Sequence, residues 1–160
     1  MKIEFISNPP KWLKENLGDA ISATANADGF TVLGAIASGF NWDRNILNHA
    51  ADECNKSGQV VIVNQLKPTL LLVPKTRANM NVSAVTKDLI DAANALGLKK
   101  LNFTHYLLVL NKLPKNEITE ILTYLLNPNL VTTLETIYWD IDTRYKAEIN
   151  SIYEKIANNS

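Results

Sequence analysis

Serine, asparagine and aspartate gather with glycine and tryptophan in the stretch Ser38-Gly39-Phe40-Asn41-Trp42-Asp43-Arg44. Such residues at a turn suit a small polar or anionic ligand. Ser38 and Asn41 supply hydroxyl and amide groups, Gly39 permits close backbone approach, and Trp42 offers a ring to stack on a base or sugar. Asp43 would repel a phosphate, and its neighbour Arg44 is the group that could neutralise it. The same residues also have a structural reading, in which Asn41 or Asp43 caps a helix and Trp42 packs against it. His49 and Glu53 stand four apart, half of a metal site, but the other histidine, His105, is distant with no ligand pattern. No metal site is expected, and a surface hydrogen bond or weak ion pair is the simpler reading. Cys54 falls on an apolar helical stripe with no base beside it, which argues for core rather than nucleophile. No Gly-x-Ser-x-Gly elbow, Walker loop, dinucleotide fingerprint or paired-cysteine motif occurs, so no catalytic residue and no cofactor is assigned.

The 160 residues suit one domain over 1–160 with a proper hydrophobic core. Sixteen basic residues balance sixteen acidic ones, without a run of five like charges, which disfavours nucleic acid as a partner. Lys75, Arg77, Lys99 and Lys100 read as solvated charges at loops and helix ends. A single cysteine excludes an internal disulfide and fits a reducing compartment. The first ten residues carry Glu4 inside a short apolar run, unlike a signal peptide, and no apolar run approaches the roughly 20 residues that span a bilayer. The expected location is cytoplasmic, away from membranes; oligomeric state is not legible.

These residues must be positioned by regular elements. Ile3 and Phe5 mark a strand closed by Ser7-Asn8-Pro9-Pro10, which also opens a helix with Leu13, Leu17, Ala20 and Ile21 at helical spacing, or one that ends at Gly18 inside that pattern. After the turn Asn26–Gly29, the run Gly29–Ser38 reads as a buried strand, handing over at the small-residue turn to a helix beginning near Asp43. Ile46, Leu47, Ala50 and Cys54 line that helix, and Ser57-Gly58 ends it. Val60–Val63 and Leu70–Val73 are continuously apolar, as strands buried on two faces are. A helix through Val85, Leu89, Ala92 and Leu96 stops at Gly97, followed by a strand from Leu101 to Phe103, which Tyr106–Leu110 extends or follows as a separate segment. Pro114 opens a helix bearing Ile118, Ile121, Leu122 and Leu125. Thr136–Trp139 is the last strand, and Asp142 caps a final helix with Tyr145, Ile149, Ile152 and Ile156 inward. The order β-α-β-α-β-β-α-β-α-β-α implies a three-layer α/β/α sandwich with a mixed, mostly parallel sheet.

The chain resembles the macro domain family in element order and in several phrases. Gly18-Asp19-Ala20-Ile21 looks like the family's Gly-Asp-Ile turn, whose aspartate contacts adenine in ADP-ribose binders, and the resemblance implies that role for Asp19. Asp28–Ser38 looks like the family's Asp-Ala-Ile-Val-Asn-Ala-Ala-Asn strand, and Asn45–Cys54 like the helix after the first phosphate loop. The loops depart from the family. Only Gly39 remains where the first glycine-rich loop would lie, the ribose-holding asparagine falls near Val32 or Gly34, and Thr104–Pro114, in the second-loop position, holds no glycine.

The chain is therefore expected to be a divergent macro domain-like protein with degenerate phosphate loops. Its expected role is non-catalytic binding of ADP-ribose or a related nucleotide-like small molecule at Ser38–Asp43, with His105 and Asn111 from the facing loop. The alternative is a structural or protein-interaction module whose pocket is filled by Tyr106–Leu110. A residual ADP-ribosyl hydrolase is a third reading, with no base to name.

Overall fold

A computed structural model of the chain describes residues 1–6, 18–25, 32–74, 81–103, 115–141 and 143–159. Within them lie six strands: β1 (Lys2–Ile6), β2 (Ala20–Thr24), β3 (Val61–Val63), β4 (Thr69–Val73), β5 (Lys100–Phe103) and β6 (Thr136–Asp140). The helices are α1 (Val32–Phe40), α2 (Arg44–Ser57), α3 (Val82–Ala95), α4 (Lys115–Leu125) and α5 (Lys146–Asn158), the last preceded by a 3-10 turn at Thr143–Tyr145. The strands form one sheet in the order β1-β6-β5-β2-β4-β3. Only β3 runs antiparallel, with Val61 opposite Leu72; every other pairing is parallel.

Both faces of the sheet are covered, which explains the unbroken apolar runs. Along β4, Leu70 and Leu72 face one core with Ile21 and Ala23, while Leu71 and Val73 face the other with Leu101, Phe103, Ile137 and Trp139. Helices α1 and α2 close the first core, and α3, α4 and α5 close the second. Full burial of each such leucine contributes about 2 kcal/mol, so β4 ties both layers to the sheet. The expected α/β/α sandwich with a mixed, mostly parallel sheet is the fold that forms, and the antiparallel neighbour lies where two apolar runs follow one another without a helix.

The stretch expected as a strand over Gly29–Ser38 is instead helix α1 from Val32. Leu33, Ile36 and Ala37 recur at helical spacing and are buried, while Ala35, Ser38 and Gly39 are exposed. Small residues on the outer side made the run look apolar throughout. The true strand is β2, which the helical spacing of Ala20 and Ile21 had suggested was helix. Those two side chains enter opposite cores, as neighbours on a strand do. Helix α2 begins at Arg44 with Asp43 as its cap, as expected, whereas Tyr145 sits in the 3-10 turn rather than on the inner face of α5. Leu13 and Leu17, the segment Tyr106–Leu110, and Asp142 lie outside the described residues.

Candidate functional site

Five parallel strands bring their carboxyl ends to one edge of the sheet, at Ile6, Thr24, Val73, Phe103 and Asp140. From β2 the chain passes to α1 on one face, and from neighbouring β5 it passes to α4 on the other. Adjacent strands whose connections leave in opposite directions open a crevice between their carboxyl ends, the place where open α/β sheets bind ligands. Thr24, Ala25 and Phe103 are the described residues at its mouth. Ala25 is held firmly: its N–H donates to the Val73 carbonyl at 2.8 Å, and its carbonyl accepts from Asn55 Nδ2 at 2.9 Å. Helix α1 follows β2 from this edge, so its amino end, with no acidic residue in the first turn, lies on the crevice side.

Below the edge, a row of aromatic rings crosses three strands. Phe103 stacks on Trp139 with centroids 4.7 Å apart, and Phe5 lies 5.9 Å from Trp139 on the other side. Trp139 is fully buried, and its indole N–H has no hydrogen-bond partner among the described residues. Asp140, at the end of β6, is 2% exposed. Neither residue was singled out as a site candidate from sequence, because a strand residue's depth is not encoded in its immediate neighbours.

Ser38, Gly39, Asn41, Trp42 and Asp43 form a helix-to-helix corner, not a strand-to-helix turn. Asp43 caps α2, its Oδ1 accepting from the N–H groups of Asn45 at 2.8 Å and Ile46 at 3.2 Å. Asn41 carries the left-handed φ of 57° that ends α1, a conformation asparagine tolerates. Arg44 does not neutralise Asp43. Its Nη2 donates to Ser38 Oγ at 2.8 Å and to the Gly34 carbonyl at 3.3 Å, fastening the last turns of α1. The Trp42 ring stacks on Phe40, and its Nε1 donates to the Lys67 carbonyl at 2.9 Å. Lys67 stands just ahead of Thr69, the first residue of β4, so the corner sits at the amino edge of the sheet. Roughly 13 Å of strand separates it from the crevice. His105 and Asn111 fall in 104–114, which follows β5 directly and lies outside the described residues.

Asp19 also belongs to the amino edge. Its Oδ2 accepts from the N–H groups of Lys99 at 2.9 Å and Lys100 at 3.0 Å, while its own N–H donates to the Lys100 carbonyl at 2.8 Å. Gly18 N–H donates to Asn102 Oδ1 at 2.5 Å. Gly18 and Asp19 thus clamp the start of β2 to β5, a role that the adenine contact does not anticipate.

His49 and Glu53 are exposed on α2, beside a groove of about 610 Å³ along the edge strand β3. Among the described residues, no group of three histidine, cysteine, aspartate or glutamate side chains could hold a metal ion. Cys54 is buried, its thiol donating to the Gln59 carbonyl at 3.2 Å, and burial pushes its pKa from 9.0 up to about 12. A thiol so raised is not a nucleophile at neutral pH. No described helix is long and apolar enough to cross a membrane.

No family model matches the chain, and no curated protein sequence matches it. Solved structures do. A leucine aminopeptidase mutant from tomato aligns with a TM-score of 0.64 at 16% identity, over 98% of this chain but only 35% of the aminopeptidase. The macrodomain of Thermus aquaticus DarG aligns at 0.58 and 14% identity, over 88% of this chain and 97% of that one. A Trypanosoma brucei macrodomain in complex with ADP-ribose aligns at 0.61 and 19% identity, over 96% and 68% respectively. The position of β2 also corrects the register of the family phrase. Asp19-Ala-Ile-Ser-Ala-Thr-Ala-Asn26, not Asp28–Ser38, fits Asp-Ala-Ile-Val-Asn-Ala-Ala-Asn, agreeing at Asp19, Ala20, Ile21, Ala25 and Asn26. Of the phrase's two asparagines, one becomes Ala23 and the other is kept as Asn26, which lies outside the described residues. By its sheet order, its layers and these likenesses, the chain has a macro domain-like fold.

Proposed function

We propose that the chain is a non-catalytic binding domain for ADP-ribose or a related nucleotide-like small molecule, held at the carboxyl edge of the sheet between β2 and β5. The observation that carries this reading is the switch point itself: two adjacent parallel strands release their chains to opposite faces, with the amino end of α1 on the crevice side. A helix amino end favours the negative charge of a pyrophosphate. A macrodomain of similar fold solved with ADP-ribose supports the ligand class. The proposal moves the ligand away from the corner, where Ser38, Trp42 and Asp43 are engaged within the fold, and from Asp19, which holds the start of β5, and assigns no residue to catalysis.

Thermal unfolding of the full chain with and without ADP-ribose tests this. A ligand at a hundredfold excess over its Kd stabilises the folded state by about 2.7 kcal/mol, which raises the Tm of a domain this size by several degrees. An unchanged Tm at millimolar ADP-ribose would remove the nucleotide reading and leave the interaction module.

A further inference from the structure

A further groove lies between α4 and α5, and none of its lining residues is among those described at the crevice mouth. Its volume is about 590 Å³, within the range of small-molecule pockets. Leu126, Ile152 and Ile156 give it an apolar floor contiguous with the core. Its charged lining residues are Lys115 and Lys155, both exposed, and among the described residues no carboxylate lines it. The ion pairs found among the described residues, Lys2–Glu4, Lys87–Asp91 and Lys99–Glu135, involve neither lysine.

The walls carry both acceptor and donor groups. Thr119 and Thr123 donate their hydroxyl protons back to the carbonyls of Lys115 and Thr119, at 2.9 and 2.6 Å, so they offer no proton to a ligand. Asn127 turns its Oδ1 to the Asn129 N–H at 2.9 Å, which leaves its NH2 as a donor. The amino end of α4 is at Lys115, where the positive end of the helix dipole is offset by Glu117 in the first turn, a residue outside the groove lining. Along α4, from Lys115 to its end at Leu125, the groove follows about 15 Å of helix rise, enough for an extended alkyl chain of medium length.

We propose that the α4/α5 groove is a binding site for a single-chain amphiphilic anion of the fatty-acid type. The alkyl chain lies on Leu126, Ile152 and Ile156, and the carboxylate meets Lys115 and Lys155. Burial of each methylene contributes to affinity, and the two cations supply selectivity by charge.

Calorimetric titration of the full chain with decanoate below its micellar concentration tests the site, with decanol and decyltrimethylammonium as comparisons. Decanoate is expected to bind at micromolar concentration, decanol at least tenfold more weakly, and the cation not at all. The double variant Lys115→Glu/Lys155→Glu changes exposed residues only, so it keeps the native circular dichroism, and should weaken decanoate at least tenfold. Ser151→Trp, also at an exposed position, fills the groove and should remove binding. No decanoate binding, equal binding of decanoate and the cation, or unchanged affinity after charge reversal would overturn the proposal.

Discussion

A methyl group on Gly18 would stand 2.8 Å from the Lys100 carbonyl oxygen and 3.1 Å from Asn102 Oδ1. Backbone occupies the first of these positions, so the clamp between β2 and β5 must open to admit it. Gly18→Ala is expected to destabilise the fold by about 1–3 kcal/mol, read as a lowered urea midpoint at unchanged m-value; an unmoved midpoint would show that the clamp is slack. Cys54 makes a second prediction through pH. Its neutral thiol is favoured in the folded state, so the fold binds that proton more tightly than the unfolded chain does. The resulting stability is complete below pH 9 and is lost as pH rises from 9 toward about 12. Relative to Cys54→Ala, the parent chain should lose stability across that window in denaturant titrations, and parallel curves would exclude it. The capping of α2 by Asp43 and the burial of Cys54 were both legible in the sequence. The task of Asp19 was not, because its partners, Lys99 and Lys100, are eighty residues away and meet it only through strand pairing.

At the scale of elements, the difficulty lay in residues 18–40. Ala20–Thr24 is a central strand made of small residues, and Val32–Phe40 is a helix whose outer side is also small, so apolar content separates them poorly. Spacing separates them better: Leu33, Ile36 and Ala37 share one core, whereas Ala20 and Ile21 divide between two. One shifted strand moved the expected ligand turn from one edge of the sheet to the other. The elements beyond residue 41 read more clearly, since β-branched runs, prolines and the Gly58 cap punctuate them. Because Asp43 belongs to the corner at the amino edge, Asp43→Ala should cost about 1 kcal/mol of stability through the lost cap, read from denaturant midpoints. Ligand affinity should be unaltered. A loss of binding with no loss of stability would return the site to the corner.

At the scale of the whole molecule, topology says more than any single motif. The alternation of strand and helix patterns, with one adjacent strand pair, was enough to specify an α/β/α sandwich with a mixed sheet. Strand order was not contained in that pattern, and strand order is what puts β2 beside β5 and creates the switch point. The crevice and the amino end of α1 therefore come together only once the sheet is assembled. The most direct measurement is calorimetric titration of the full chain with ADP-ribose, beside the variants Asn26→Ala and Asp43→Ala. Micromolar binding by the parent and by Asp43→Ala is expected, with Asn26→Ala at least tenfold weaker. No binding by the parent, or binding lost with Asp43→Ala and kept with Asn26→Ala, would contradict a ligand site at the carboxyl edge.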